Sequence, residues 1–109
     1  MEKRIFNLLN EIGVQCHLAG RTYLEDAIKY VYENNNIKML GLYQKIAKQH
    51  NTTSSKVERA IRQAIETTFC RTEPNSINKV FGNTVDFYSG KLPNGAFIYG
   101  AVKYLKYND

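Results

Sequence analysis

The sequence predicts an all-α fold, a compact bundle of about six helices that contains a helix-turn-helix. Two observations favour this class. Apolar residues recur at the i, i+3, i+4 and i+7 spacing of an amphipathic helix in separate segments along the chain. These segments are divided by glycine, asparagine and proline, which commonly end or begin helices. At 109 residues the chain has the length of one domain, so residues 1–109 are predicted to fold as a single unit.

The first two predicted helices each have one apolar stripe and a clear stop. The first stripe consists of Ile5, Leu8, Leu9 and Ile12. Gly13 follows it, where glycine commonly ends a helix in the left-handed conformation. The second stripe consists of Leu24, Ala27, Ile28 and Val31. The turn-prone asparagines at positions 34–36 are expected to end the second helix.

The remaining helices are predicted between position 42 and the C-terminus. A short third helix has its stripe at Leu42, Ile46 and Ala47 and ends near His50. The fourth is the longest, and its apolar side consists of Val57, Ala60, Ile61, Ala64, Ile65, Thr68 and Phe69. A fifth helix is expected from Pro74 to Gly82, and a sixth with Asn94 as its N-cap. For residues 83–92 we expect a loop rather than a short strand.

The third and fourth helices have the spacing of a helix-turn-helix. This motif needs a small residue where its helices cross, a turn residue that tolerates positive φ, and a branched apolar residue inside the second helix. Ala47, Asn51 and Val57 meet these needs in order. With Ile61 as a flanking core residue, the predicted helix-turn-helix core is Ala47, Asn51, Val57 and Ile61.

The start of the fourth helix admits two caps. Ser55 and Glu58 fit a capping box, in which each side chain accepts from the other residue's main-chain N–H. Ser54, with Thr53 before it, offers an alternative cap one residue earlier. Two interpretations of Glu58 therefore stay open: it turns back to its own helix start, or it accepts a hydrogen bond from cytosine N4 in DNA.

The positive charge of the chain is concentrated in the predicted helix-turn-helix. The chain has 15 Lys and Arg against 10 Asp and Glu, a formal net charge of +5. Between positions 42 and 71 there are six basic and two acidic residues, so this segment carries +4 of that charge. At 100° per residue, one polar group lies opposite the apolar side of the fourth helix: Ser55, Lys56, Arg59, Arg62, Gln63 and Glu66. This is where a recognition helix faces DNA.

Other classes of function compete with DNA binding. Many helices have a charged outer face that only interacts with water. The main functional alternative is a helical protein-interaction module, whose basic face binds an acidic partner such as another regulator or competes with it. Binding of single-stranded nucleic acid or RNA is a second, because tyrosines can stack bases. An enzyme is least supported. The sequence has no glycine-rich phosphate loop, paired-carboxylate set or metal-ligand spacing, so no catalytic residue, metal or cofactor is expected.

The sequence also lacks export and membrane signals. Its N-terminal segment has no apolar run typical of a signal peptide, and no stretch approaches the roughly 20 apolar residues of a membrane span. Cys16 and Cys70 form no CxxC pair and are expected to be reduced thiols. We therefore expect a cytoplasmic protein that does not bind a membrane.

Four segments carry a family resemblance: "EIGVQCHLAGRTYLEDAI", "IAKQHNTTSSKVERAIRQAIE", "FGNTV" and "KLPNGAFI". Together they are similar to the C-terminal effector domain of the sporulation response regulator family, stage 0 sporulation protein A. The resemblance implies a bacterial transcription regulator with a six-helix fold, whose recognition helix, about residues 55–69, lies in the major groove. It also implies binding to promoter elements in double-stranded DNA, as a head-to-tail homodimer on tandem sites, with RNA polymerase as a further partner.

The resemblance assigns roles to individual residues. Arg59 would contact guanine in the major groove, with Lys56 and Glu58 beside it at the base edges. The residues nearer the phosphates would be Ser55, Arg62 and Asn94. Gln63 stands where the family often has histidine, and its contact stays open.

The sequence departs from the family pattern in three places. The receiver domain that precedes the effector domain in the family has no counterpart here, so the chain is either an excised domain or a stand-alone protein, and in the second case a linked receiver cannot control it. The segment of residues 34–45 is shorter than its equivalent in the family. Gln15 replaces a usual proline. We expect these changes to affect dimer contacts and DNA preference more than the fold.

Overall fold

Six α-helices lie within the part of the chain that the computed structural model describes, residues 1–82 and 92–108, and those residues contain no strand. The helices are α1 (Glu2–Ile12), α2 (Ala19–Glu33), α3 (Met39–Gln49), α4 (Ser54–Arg71), α5 (Pro74–Phe81) and α6 (Asn94–Tyr107). The predicted all-α fold is thereby confirmed. The loop predicted for residues 83–92 lies, apart from its last residue, outside the described residues.

The predicted stops of three helices are confirmed. Gly13 follows α1 with φ 101°, and its N–H donates to the carbonyl oxygen of Leu9 at 3.0 Å. Gly82 follows α5 with φ 66°. Both glycines have a positive φ, at which a Cβ atom would cause strain. Asn34 ends α2, and its N–H donates to the carbonyl oxygen of Tyr30 at 2.8 Å.

The capping box predicted for α4 is wrong, and the helix begins one residue earlier than the alternative cap at Ser54 would place it. Thr53 is the N-cap: its backbone is extended, and its Oγ1 accepts from the main-chain N–H of Lys56 at 3.2 Å. Ser55 already lies inside the helix, where its backbone cannot take the extended conformation of an N-cap. With Thr53 as N-cap, a capping box would need its acidic residue at position 56, so Glu58 lies two positions too far along the helix, and its side chain bonds Arg62 instead.

The predicted N-cap of α6 is also wrong. Pro93 occupies that position without a side-chain hydrogen bond, and Asn94 is the first helical residue. The φ of Pro93, −56°, suits the approach to a helix. The side chain of Asn94 is turned toward α3 and α4, where it finds hydrogen-bond acceptors.

The buried side of α4 forms a large part of the core. This helix packs against α2, α3 and α6. Its buried apolar residues are Val57, Ile61, Ala64, Ile65 and Phe69. Phe97 of α6 lies beside this row, with its ring centroid 6.4 Å from that of Phe69 and 5.0 Å from that of Phe81. Because one side of α4 is buried along its whole length, its opposite side is held toward solvent in a fixed orientation.

The backbones of α2 and α4 are in close contact at Gly20. A Cβ atom built on Gly20 would lie 2.1 Å from the carbonyl oxygen of Ala60 and 2.8 Å from the Cβ of Ala64. Carbon and oxygen atoms that are not bonded to each other do not approach so closely. Only glycine at this position allows α2 to lie against α4 in this way, so Gly20 helps to set the position of α4 in the bundle.

Arg21 is a buried charge that helical spacing does not predict. Its side chain is 2% exposed and donates to three parts of the chain. Nε donates to the carboxylate of Glu25 at 3.0 Å. Nη1 donates to the carbonyl oxygen of Val14 at 2.6 Å and to Oδ1 of Asn10 at 3.0 Å. Nη2 donates to the carbonyl oxygen of Phe6 at 3.1 Å. The planar guanidinium thus joins α2 to α1 and to the loop that follows α1.

Candidate nucleic-acid interface

The helix-turn-helix consists of α3, α4 and the turn between them. The turn residue Asn51 has φ 55°, and in residues 1–82 and 92–108 no other non-glycine residue has a positive φ. The N–H of Thr52 donates to the carbonyl oxygen of Ala47 at 2.9 Å, which closes the end of α3. Ala47 is 4% exposed, and Val57 and Ile61 are fully buried. The structure therefore brings all four predicted core residues to the corner where α3 meets α4.

Substitution of Asn51 tests the turn. The residue is exposed, so its side chain adds little packing. Asn51→Gly is expected to leave the free energy of unfolding unchanged or slightly raised, because glycine adopts positive φ without strain. Asn51→Val should lower it by about 1–2 kcal/mol, since a branched side chain resists that conformation. Urea unfolding followed by circular dichroism measures both variants, and equal stability of the two would contradict the turn geometry.

The outer side of α4 presents polar and basic side chains to solvent. Its exposed residues include Ser55, Lys56, Arg59, Arg62 and Gln63. Within the described part of the chain, no hydrogen bond, ion pair or ring contact holds the guanidinium of Arg59. A guanidinium in this state offers its planar fork of N–H donors to a ligand without first breaking another contact.

Glu58 is paired with Arg62, one helical turn further along α4. Its Oε1 accepts from Nη1 of Arg62 at 3.0 Å, and the two side chains are 36% and 53% exposed. An i, i+4 pair as open to water as this one contributes about 0.3–0.5 kcal/mol. Glu58 therefore does not bond its own helix start, and it can exchange Arg62 for another donor at little cost.

Asn94 lies against α4 with its side chain turned into the protein. The residue is 9% exposed, and its Nδ2 donates to Oη of Tyr43 and to the carbonyl oxygen of Glu58, each at 3.1 Å. Burial raises the pKa of Tyr43 above its usual value, while the hydrogen bond from Asn94 lowers it. Both hydrogens of the Asn94 amide are thus used within the protein.

A shallow groove between α3 and α4, which we call the α3–α4 groove, borders the basic side of α4. Its lining residues are Leu40, Tyr43, Ser54, Ser55, Glu58, Arg59 and Arg62. Sequence reasoning missed Leu40 and Tyr43, because helical spacing marks the buried side of α3 and does not tell which of its other residues lie next to α4. Leu40 is 64% exposed, an apolar side chain among polar ones.

This six-helix architecture has a counterpart among known protein families. A family model described as "Sporulation initiation factor Spo0A C terminal" matches residues 5–105. The chain belongs to this family. The match includes the helix-turn-helix and most of every helix from α1 to α6. The family consists of DNA-binding effector domains of sporulation response regulators, which regulate transcription and are not enzymes.

In the effector domain, α3 is anchored to α2 beside the turn. Nε2 of His50 lies 2.5 Å from Oδ2 of Asp26, and the ring of Tyr23 meets the His50 ring edge-on with centroids 5.2 Å apart. Nearer the middle of α3, the ammonium of Lys45 lies 4.4 Å from the ring centroid of Tyr30. These contacts fix the first helix of the motif on the bundle, and they account for His50 as a structural residue.

Among the described residues of the effector domain, no group of three or more His, Cys, Asp or Glu side chains is arranged to hold a metal ion. Cys16 and Cys70 are free and exposed. Each helix within residues 1–82 and 92–108 is too short or too polar to cross a membrane.

Proposed function

We propose that this effector domain reads the sequence of double-stranded DNA with the N-terminal half of α4 placed in the major groove. The observation that carries the proposal is Arg59, an exposed arginine without a bonding partner in the described residues, at the centre of the outer side of α4. The second helix of a helix-turn-helix presents its N-terminal residues to base edges. Arginine pairs in bidentate fashion with O6 and N7 of guanine, so we assign a guanine to Arg59.

Lys56 and Glu58 are proposed to contact the bases next to that guanine. Lys56 precedes Arg59 by three residues, so the two side chains share one side of the helix. Glu58 can accept from cytosine N4 if its carboxylate leaves Arg62. The exchange would keep Glu58 paired and would free Arg62 for a phosphate.

Ser55, Arg62 and Asn94 are proposed to lie at the phosphates. Ser55 and Arg62 are exposed and border the α3–α4 groove, so their polar groups are accessible to the DNA backbone. Asn94 differs, because its side-chain amide already donates to Tyr43 and Glu58. As the first residue of α6, it has a main-chain N–H with no intrahelical acceptor, and this is the group we assign to a phosphate.

Amide chemical shifts can test the proposed DNA-binding face. Addition of a short duplex to the labelled domain at low salt is expected to shift the amide signals of residues 54–63 and of the turn before α4 more than those elsewhere. A single strand of the same length is the matched ligand control and should shift them less. If the largest shifts fell on the C-terminal half of α6, the proposed face would be wrong.

Replacement of Arg62 tests the phosphate assignment. Arg62→Gln should weaken binding to all duplexes by the same factor and lower the slope of log affinity against log salt by about one unit, because one phosphate contact is lost. Fluorescence anisotropy titrations between about 50 and 200 mM salt measure this slope. The control is Arg71→Gln at the far end of α4, for which no change is expected. A changed preference between duplexes with an unchanged slope would instead assign Arg62 to a base.

We also propose that two copies bind tandem DNA elements in head-to-tail order, as the family resemblance implies. Binding to a duplex with two adjacent elements should then be cooperative, so the doubly bound complex appears before the singly bound one has accumulated. Gel-shift titrations of duplexes with one and with two elements measure this directly. Equal and independent occupancy of the two elements would rule out a contact between the copies.

Protein binding is the second candidate function, with RNA polymerase or another regulator as partner. The observation that favours it is a groove between α2 and α6, on a surface that the proposed DNA contacts do not use. Its lining residues are Val31, Asn35, Tyr99, Val102, Lys103, Lys106 and Tyr107. Tyr107 is 78% exposed, which is high for an aromatic residue. Amide shifts confined to this groove on addition of either partner would support this function.

A further inference from the structure

We infer that Tyr43 and Asn94 are positioning residues, which hold the N-terminal end of α4 in the orientation needed to read bases. This inference rests on the proposed function and goes beyond it, since neither side chain is assigned a base contact. The two residues come from different helices, Tyr43 from α3 and Asn94 from the start of α6. Through the Asn94 amide they join three helices at one point beside the proposed DNA-binding face.

The two hydrogen bonds of the Asn94 amide fix α4 relative to both α3 and α6. The two hydrogens of a primary amide lie in one plane at a fixed angle, so two acceptors bonded to them are fixed relative to each other. Here one acceptor is the Tyr43 hydroxyl of α3 and the other is the Glu58 carbonyl oxygen of α4, each 3.1 Å from Nδ2. A rotation of α4 relative to α3 would therefore break at least one of the two hydrogen bonds.

Burial makes the junction selective for this arrangement. Asn94 is 9% exposed, and Tyr43 is half-buried, which raises the pKa of its hydroxyl group. A buried amide that loses one acceptor is poorly compensated by water, so the alternatives to the present arrangement are unfavourable. The junction thus favours the present orientation of α4 over slightly rotated ones, and this preference adds to the one that packing of the apolar core provides.

The place of the junction on α4 connects it to base reading. The bonded carbonyl belongs to Glu58, and the next residue is Arg59. A displacement of the Glu58 main chain would therefore move the Cα of Arg59 by a similar distance. Bidentate pairing with guanine requires both guanidinium bonds at once, so it is lost with small displacements. Phosphate contacts from long, exposed side chains tolerate the same displacement.

This difference separates a positioning role from a direct phosphate contact by Tyr43. Loss of a phosphate contact weakens binding to every sequence by the same factor. Loss of positioning weakens binding to the preferred sequence and leaves binding to other sequences unchanged. The decisive quantity is the discrimination ratio, the affinity for a preferred duplex divided by that for a duplex with the same bases in shuffled order.

The test compares Tyr43→Phe with Tyr99→Phe. Tyr43→Phe removes only the hydroxyl oxygen and keeps the ring, and it is expected to lower the discrimination ratio about threefold to tenfold, the effect of one imperfectly replaced hydrogen bond. Affinity for the shuffled duplex and the salt slope should not change. Tyr99→Phe is the matched control: its hydroxyl donates to the carbonyl oxygen of Ile37 at 2.8 Å and does not touch α4, so its ratio should equal that of the unsubstituted domain.

The outcomes distinguish this inference from the proposed function. The preferred duplex comes first from selection out of a random pool by the unsubstituted domain, and failure to obtain one overturns the proposed function. If a duplex is obtained, an unchanged ratio in Tyr43→Phe, or equal weakening on both duplexes, overturns the positioning role alone. Asn94→Ser, which retains one donor, is measured in the same way at a temperature where circular dichroism shows all variants folded. Its ratio should fall as well.

Discussion

Replacing Arg59 with alanine is expected to abolish most of the preference of this domain for its DNA sequence. A bidentate arginine to guanine pair contributes about 1–3 kcal/mol of discrimination against a wrong base, so the variant should lose about fivefold to 150-fold in the discrimination ratio. The side chain is exposed and has no partner in the described residues, so its removal should leave the helical content and the free energy of unfolding unchanged. Competition binding with guanine-substituted duplexes measures the loss.

Arg71→Ala provides the matched control for Arg59→Ala. Arg71 is an exposed arginine on the same helix, twelve residues further on and so about 18 Å along the helix axis. Arg71→Ala removes the same charge and the same side chain as Arg59→Ala, but we expect it to leave the discrimination ratio unchanged. If Arg59→Ala retained full discrimination, or if both variants lost it equally, the assignment of Arg59 to a base would be wrong.

Gly20→Ala should cause the largest loss of stability among the substitutions considered. The new Cβ would lie 2.1 Å from the carbonyl oxygen of Ala60, so α2 and α4 would have to separate. We expect the free energy of unfolding to fall by about 3 kcal/mol, the upper part of the range for overpacked contacts, because main-chain atoms cannot rotate away as a side chain does. Chemical denaturation followed by circular dichroism measures the change.

Gly41→Ala shows whether the effect of Gly20→Ala comes from the helix contact or from helix propensity. Gly41 lies in α3, and a Cβ built there has no neighbour within 4 Å. Alanine is favoured over glycine in a helix by about 1 kcal/mol, so this variant should be more stable than the unsubstituted domain. The opposite signs of the two substitutions are the expected result. A Gly20→Ala domain as stable as the unsubstituted one would contradict the close approach of α2 and α4.

The helices were predictable from the sequence because each one carries its own local signals. The stripe at Ile5, Leu8 and Ile12 and the glycine after it specify α1 without reference to the rest of the fold. The same holds for the turn at Asn51, whose tolerance of positive φ is a property of one residue. The family resemblance read from four segments of the sequence agreed with the family match.

The cap positions and polar partners were not predictable in the same way. Ser55 and Thr53 are both good N-cap residues, and the choice between them depends on where α3 and the turn deliver the chain. Asn94 is a good N-cap by composition, but the acceptors on Tyr43 and Glu58 attract its side chain. Those acceptors are 51 and 36 residues away in the sequence, so no local pattern contains them.

The candidate site shows the same division between local and distant information. The exposed basic residues of α4 follow from helical spacing, because the buried side of the helix determines the side that faces solvent. The pairing of Glu58 with Arg62 is an ordinary i, i+4 contact, yet capping and base reading were equally compatible with the sequence. The junction at Asn94 required the packing of α3, α4 and α6, which spacing along one helix does not contain.

Selection of duplexes from a random pool tests most directly whether this domain reads DNA sequence through α4. The domain is mixed with random duplexes at a fixed salt concentration, and the bound fraction is recovered, amplified and sequenced over several rounds. We predict that a short motif becomes enriched, with at least one guanine whose replacement is tolerated by Arg59→Ala but not by the unsubstituted domain. Recovery of duplexes without any common motif would contradict sequence-specific reading of DNA by this helix.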